Sequence, residues 1–261
     1  MIRLKDQMDF PVVLDHPAQR IVSLVPSQTE LLYDLGLDDE TVSITKFCIH
    51  PDKWFRSKIR VGGTKNVAID KVKSLHPDLI IANKEENSKP DIEKLKQLCP
   101  VYISDIITVK DALNMMKDVG KLCGREQQTV DIIDQIEEDR ADFPTYSGTV
   151  LYLIWKNPFM ACGSDNFINS MIHELGFTNV VTAPRYVEVS AEEIQQLNPD
   201  YIFLSTEPFP FKEEDKDEWE KLSRAKVKIV DGEMFSWYGS RMLKMKEYFR
   251  HFLDGSKSPE K

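Results

Sequence analysis

Apolar and polar positions divide the chain into short apolar runs separated by amphipathic stretches, and the division repeats. Leu75-His76-Pro77-Asp78-Leu79-Ile80-Ile81-Ala82 matches Leu197-Asn198-Pro199-Asp200-Tyr201-Ile202-Phe203-Leu204, 122 residues further on. Each predicts a polar helix end, a Pro-Asp turn and an apolar strand. Leu31-Leu32-Tyr33-Asp34-Leu35-Gly36-Leu37 likewise matches Met171-Ile172-His173-Glu174-Leu175-Gly176-Phe177. Both predict a helix closed by a glycine that supplies the left-handed cap. A β-rich run follows each, over 41–45 and 179–182. A third pair opens the halves: 20–25 and 149–155 are apolar runs that lead straight into proline-bearing loops. Strand, helix, strand, helix, strand therefore occurs twice. That alternation predicts an α/β fold with two parallel-sheet lobes, helices covering both faces of each sheet.

Between the halves lies REQQTVDIIDQIEEDRADF, residues 125–143. Val130, Ile132, Ile133 and Ile136 fall at helical spacing with charges elsewhere. The stretch contains no glycine or proline, and its helix would be about 28 Å long at 1.5 Å per residue. The expected organisation is an N-terminal lobe over 1–124, a single stiff joining helix over 125–145 and a C-terminal lobe over 146–261. Residues 255–261 are polar and expected to fray.

Composition narrows the function. The 261 residues are 41% hydrophobic and 30% charged, with a formal net charge of −9. A negative surface repels phosphate, so nucleic acid is not an expected partner. There is no apolar run of the ~18 residues that a spanning helix needs. The opening MIRLKDQMDFPVVLDHP lacks the apolar core of a secretory signal, so the chain read by itself would act in the cytoplasm. Cys48, Cys99, Cys123 and Cys162 are scattered without a Cys-x-x-Cys pair; free thiols are expected rather than a zinc cage or disulfide framework. Gly-x-Gly-x-x-Gly after a strand, a phosphate-binding Gly-Lys-Ser/Thr loop, a Gly-x-Ser-x-Gly elbow and His-Glu-x-x-His are all missing.

Ligands of open parallel sheets gather outside the carboxyl ends of the strands. After the first strand stand Pro26 and Ser27, with Glu30 three residues on, which reads as a capping box or as a helix start able to receive an anionic group. After the second come Lys46, Phe47, Cys48 and His50, then Trp54, Phe55 and Gly62-Gly63-Thr64, an insertion without an equally long counterpart in the second half. Cys48 and His50 make an incomplete metal site, so no metal is expected. His173 is expected to be an ordinary surface or core histidine. The second half offers Phe159, Met160, Phe167, Arg185, Tyr186, Phe209, Phe211, Phe235, Trp237, Tyr238 and Arg241 in the corresponding loops. So many rings in loops predict a concave apolar surface for a large flat ligand, with Lys46, Arg185 and Arg241 available for its carboxylates or phosphates. The plainer alternative is that half of these rings pack beneath their own loops. The acidic run 213–220 reads as a solvated face. A second reading of the same residues is a cytosolic enzyme, chelatase-like, using His50, Glu207 or Glu233 as acid/base groups. A third is a scaffold protein that kept the fold and lost its ligand.

Residues 20–32, Val61-Gly62-Gly63 and 75–82 resemble the first lobe of the helical-backbone substrate-binding proteins of ABC importers. Asn157-Pro158, Gly163, Val189-Ser190, Glu192-Glu193-Ile194 and Gly239-Ser240-Arg241 extend the likeness across roughly 18–252. The resemblance implies a monomer of two lobes bridged by a rigid helix, with a metal chelate (cobalamin or another corrinoid, haem, or a ferric siderophore) held in a cleft between lobes. It implies no intrinsic cofactor, no enzymatic activity, a periplasmic or cell-envelope location and an ABC transporter permease as partner. Members that bind vitamin B12 embrace the corrin with aromatics; the matching positions here are Thr64, Tyr186 and Met234, so that cage is only partly kept. The acidic residues that dock such proteins on their permease match Asp70 and Glu192, although acids at helix starts also suit the helix dipole unaided.

Overall fold

The computed structural model describes residues 1–253; the tail 255–261 lies outside the described residues. Two compact units are formed. The first takes Met1–Asp105, Lys110–Glu138 and Tyr238–Leu243, and the second takes Ile106–Val109, Asp139–Trp237 and the chain from Lys244 onward.

The first unit opens with an antiparallel hairpin, β1 (Ile2–Lys5) and β2 (Pro11–Leu14). The repeat then begins: β3 (Ile21–Ser23), α1 (Pro26–Asp34) and β4 (Thr41–Ile44). An insertion adds α2 (Asp52–Ser57) and β5 (Ile59–Arg60) before α3 (Ile69–Ser74) and β6 (Leu79–Asn83) complete the repeat. α4 (Lys89–Leu95) and β7 (Val101–Ser104) follow, and the five strands pair in the order β5-β4-β3-β6-β7, every pair parallel. β6 is buried along its length, as a central strand covered on both faces must be. One face sets Val22, Ile80, Ala82, Val101 and Ile103 against Val72 of α3 and Ile92 and Leu95 of α4. On the other, Tyr102 donates from its hydroxyl to Asp118 at 2.9 Å, within α5 (Val109–Leu122).

α6 (Glu126–Ala141) follows α5 and carries the chain from the first unit into the second. Its 16 residues make it about 24 Å long. The buried stripe is Thr129, Ile133 and Ile136, while Val130 is exposed. The apolar pattern alone had put Val130 on the inner face. Thr129 takes that place because Gly120 lets α5 approach so closely that a Cβ there would lie 2.2 Å from the Thr129 hydroxyl.

The second unit repeats the plan with β8 (Thr149–Trp155), α7 (Phe167–Glu174), β10 (Thr178–Asn179), α8 (Ala191–Leu197) and β12 (Tyr201–Ser205). β9 (Met160–Cys162) and β11 (Tyr186–Glu188) are intercalated, and α9 (Glu213–Leu222), β13 (Lys226–Val230), α10 (Glu233–Ser236) and α11 (Met245–Arg250) complete it. β10, β12 and β13 join in parallel, whereas β9 runs antiparallel to both β8 and β11. This sheet is thus mixed at one edge, where the repeat alone predicts parallel pairing throughout. One face packs Leu151, Leu153, Ile202, Leu204 and Val227 against Ile194 of α8 and Trp219 of α9. The other is aromatic: Phe203 meets Phe252 at 5.2 Å, and Tyr152 meets Phe235 at 5.2 Å.

The repeated Pro-Asp turn has a structural cause. Asp78 accepts hydrogen bonds from the Gln19 and Arg20 amides at 2.8 and 2.9 Å, at the entry to β3. Asp200 accepts from the amide and hydroxyl of Thr149 at 2.7 and 2.9 Å, at the entry to β8. Each aspartate ties the start of the repeat's third strand to the start of its first. Gly36 and Gly176 close α1 and α7 at φ +71° and +81°, a region that only glycine enters freely.

Candidate functional site

The carboxyl end of the first sheet is built from polar side chains that the fold buries, most of them hydrogen-bonded, with Gln28 Oε1 left without a partner among the described residues. α1 starts on Pro26 at its first turn with Val25 as a cap that makes no side-chain bond. This corrects the expected capping box. Proline needs no amide partner at that position, so the helix begins before Ser27 and turns Ser27, Gln28, Thr29 and Glu30 inward, all buried. The Glu30 carboxylate instead takes the Arg241 Nε–H at 2.7 Å, with both side chains nearly sealed from solvent at 7% and 5% exposure. Arg241 is thus paired with Glu30 through its Nε. Ser27 bonds the Tyr238 hydroxyl, which burial pushes up in pKa. Gln28 donates to Ser104 Oγ at 2.5 Å and Asn83 donates to the same oxygen at 3.0 Å.

Asn83 ends β6 and organises the loop beyond it. Its Oδ1 accepts from the amides of Glu85 and Glu86 at 2.8 and 3.1 Å. Its own amide donates to Asn87 Oδ1 at 2.9 Å. Asn87 in turn donates to the Thr64 carbonyl at 3.0 Å. The loop carrying Thr64 and the loop carrying Glu86 are thereby clamped together. Thr64 is buried. Beside them Lys46 and Phe47 lie on the surface, the Lys46 ammonium 5.0 Å from the centre of the Phe47 ring, which is 50% exposed. Gly63 packs closely against that ring; a Cβ there would lie 3.2 Å from Phe47 Cε2. His50 is half-buried at the end of the same loop. Cys48 is buried, accepts a bond from Thr29 Oγ1 at 3.1 Å and has its thiol pKa raised by burial. Among the described residues no group of three or more His, Cys, Asp and Glu could hold a metal ion, and the four cysteines are free thiols.

The second unit finishes its sheet with rings. Trp155, 40% exposed, meets Phe209 at 5.7 Å, and Phe209 meets Phe211 at 4.8 Å. Phe159 lies against Trp219 at 5.1 Å, and Met160 is half-buried at the start of β9. Tyr186 is half-buried and pairs with Cys162 in the β9–β11 ladder. Arg185 is held by Asp165, whose carboxylate accepts its amide at 2.8 Å and faces its guanidinium at 3.7 Å. Phe167, Phe211 and Phe235 are core residues, as is Trp54 in the first unit, which donates through Nε1 to Asp38 at 2.8 Å. Rings in apparent loops thus divide between core and surface, and sequence spacing does not separate them. Trp237 is mostly buried and donates to Glu207 Oε1 at 3.0 Å; Ser236 donates to the same oxygen at 2.5 Å. The Glu207 carboxyl has its pKa raised, chiefly by burial and further by Glu233 and Asp231.

The sequence candidates therefore gather in two sets. Pro26, Ser27, Lys46, Phe47, His50, Thr64, Tyr238 and Arg241 belong to the first unit; Phe159, Met160, Phe167, Arg185, Tyr186, Phe209 and Trp237 belong to the second. Gln28, Asn83, Glu86 and Asn87 of the first were not anticipated. The loop after β6 follows a strand like the others, and the rule about strand ends points to it directly. Asp70 and Glu192 are both exposed, each the second residue of its helix, α3 and α8. The same offset that relates Asp78 to Asp200 relates these two. α8 has a true capping box in Ser190 and Glu193, which leaves Glu192 outside it.

Residues 21–227 match the family described as periplasmic binding protein. An uncharacterised ABC transporter substrate-binding lipoprotein of Bacillus subtilis is 27% identical, over 93% of this chain and 82% of that protein. The vitamin B12-binding protein of Vibrio parahaemolyticus is 25% identical, over 73% of this chain and 72% of the relative. Among solved structures, the periplasmic vitamin B12 binding protein of Vibrio cholerae superposes with a TM-score of 0.76 at 22% identity, covering 91% of this chain and 97% of that one. The petrobactin-binding protein of Bacillus subtilis superposes with a TM-score of 0.78 at 20% identity, covering 98% and 99%. None of these relatives is an enzyme by its description, and the acid/base reading of His50, Glu207 and Glu233 finds no support among them. Among the described residues no helix is long and apolar enough to cross a membrane.

Proposed function

The chain belongs to the periplasmic binding protein family, and from that premise we propose that it is the substrate-binding protein of an ABC importer for a metal chelate: a corrinoid, haem or a ferric siderophore. The observation that carries this reading is the duplicated α/β unit with a family match spanning both copies. Binding would use no covalent chemistry. Apolar contact would come from Phe47 in the first unit and from Phe159, Tyr186, Phe209 and Trp237 in the second, with polar anchoring from Ser27, Lys46 and Thr64. The working location is the cell envelope, outside the cytoplasm, as the descriptions of the Vibrio cholerae periplasmic protein and the Bacillus subtilis lipoprotein suggest for this chain, and the protein works as a monomer.

The partner is the permease of that importer. Asp70 and Glu192 support the proposal because they stand at equivalent exposed positions of the two copies, suited to pairing with basic residues. Titration of the intrinsic tryptophan fluorescence with cyanocobalamin, haemin and ferric siderophores tests the ligand reading. Saturable quenching by one class is expected; its absence with all three would overturn the proposal. Asp70→Lys and Glu192→Lys are expected to leave that titration unchanged while abolishing chelate uptake in cells that depend on this protein.

A further inference from the structure

Glu86 adds a carboxyl to a region that already buries Gln28 Oε1 and Ser240 Oγ without a hydrogen-bond partner among the described residues. It is half-buried, and among the described residues no hydrogen bond or ion pair reaches its carboxyl group. Its backbone is fixed by Asn83 at 3.1 Å, and the next residue is locked to Thr64 through Asn87. The side chain is thus presented at the carboxyl end of the first sheet by a braced loop. Burial raises its pKa and Glu85 raises it further; Lys65 opposes this from across the loop. Lys65, however, spends its ammonium on the Glu85 carbonyl. A carboxyl kept partly dry without a partner costs stability, and the fold maintains it where ligands of such sheets bind.

The second unit also places a carboxyl just beyond its third strand, but a bonded one. Glu207 follows β12 as Glu86 follows β6, the third strand of the repeat in both cases. Its Oε1 is bonded by Ser236 and Trp237, and Glu233 and Asp231 add negative charge around it. Gly232 is required beside it, since a Cβ there would stand 2.5 Å from Glu207 Cγ.

We propose that Glu86 is a specificity residue that selects chelates whose periphery carries amide or ammonium donors and rejects those that carry carboxylates. This rests on the substrate-binding reading above and narrows its ligand class. In its ionised form this partly dry carboxyl accepts an N–H bond from a donor-bearing ligand and repels an added carboxylate more strongly than bulk water would allow. Among the three classes this favours the carboxamide-rimmed corrinoids and neutral or cationic siderophores over haem with its two propionates.

The test uses matched pairs, so that it does not depend on which class binds. Affinities of the whole protein are measured for cyanocobalamin and its monocarboxylic acid, for haemin and its diamide, and for ferrioxamine B and its N-succinyl derivative. Whichever pair binds, the amide or amine member is expected to bind about tenfold tighter. Glu86→Gln, an isosteric change, is expected to bring that ratio toward one. Equal affinity within the pair, a preference for the carboxylate, or a ratio unchanged in Glu86→Gln would overturn the inference while leaving the substrate-binding reading intact. Failure of all six chelates to bind would overturn that reading itself. Because the readout is a ratio within one protein sample, a partly unfolded variant does not alter it.

Discussion

The two units run the same strand and helix order, yet they finish the carboxyl ends of their sheets in different ways. The first uses five parallel strands and ends them in a bonded layer of hydroxyls and amides, from Ser27 and Gln28 to Asn83, Asn87 and Ser104. The second interrupts its parallel order with the antiparallel β9 and ends in rings, Trp155 exposed and Phe159 and Phe209 half-buried against its core. What both retain is the framework: the Asp78 and Asp200 clamps and the glycine-closed helices. The lesson is that the repeat conserves what holds the sheet and varies what the sheet presents.

Four changes sharpen or break this contrast. The largest effect is expected for Arg241→Ala. It strands the Glu30 carboxylate in a buried position, which costs about 3–5 kcal/mol, whereas replacing both partners by apolar residues of similar size should recover most of that loss. Peptide-level hydrogen exchange should show the loss of protection in the first unit, around α1. If the second unit loses protection equally, the pair does not belong to the first unit's framework. Gly163→Ala tests the opposite side. A Cβ there would sit 2.0 Å from the Ala183 carbonyl oxygen, so a loss of about 1–3 kcal/mol is expected, read as faster exchange in β9 and β11.

Glu86→Gln should do the reverse and stabilise. A carboxyl with a raised folded-state pKa contributes stability that is complete below its unfolded value and is lost as pH rises through the folded value. At neutral pH the wild type bears that loss and the glutamine variant does not. The variant should therefore be more stable by on the order of 1 kcal/mol, with the gap closing below about pH 4.3, the ordinary glutamate value. A destabilised variant would mean that the carboxylate has a partner in the folded protein. The smallest effect is expected at Asp38, which bonds Lys53, Lys58 and Trp54 and whose pKa is lowered to about 2, chiefly by Lys53. Its contribution is present above the ordinary aspartate value and is lost as pH falls through about 2. Because its side chain is 44% exposed, Asp38→Asn should cost at most about 1 kcal/mol at neutral pH, and melting curves of the two proteins should converge near pH 2.

Much of the framework is legible in the sequence because it depends on local chemistry. A Pro-Asp turn, a glycine cap and an uninterrupted helical stretch each state their geometry within a few residues, and the duplication states them twice. The site is less legible because burial is a tertiary property. Phe167 and Phe235 read like Phe47 and Phe209 along the chain, yet the first two are core and Phe47 is exposed. Ser27 and Glu30 carry the spacing of a capping box, but Pro26 moves the helix start and Arg241, far along the chain, claims the glutamate. Glu86 carries no motif at all, and that no described residue bonds its carboxyl is a tertiary fact that the sequence does not state.

Equilibrium dialysis of the whole protein against coloured chelates tests the central claim most directly. The account predicts that one class is retained at one molecule per chain and that its amide or amine form is retained over its carboxylate form. Retention of no chelate at all, with the protein folded by circular dichroism, would contradict it.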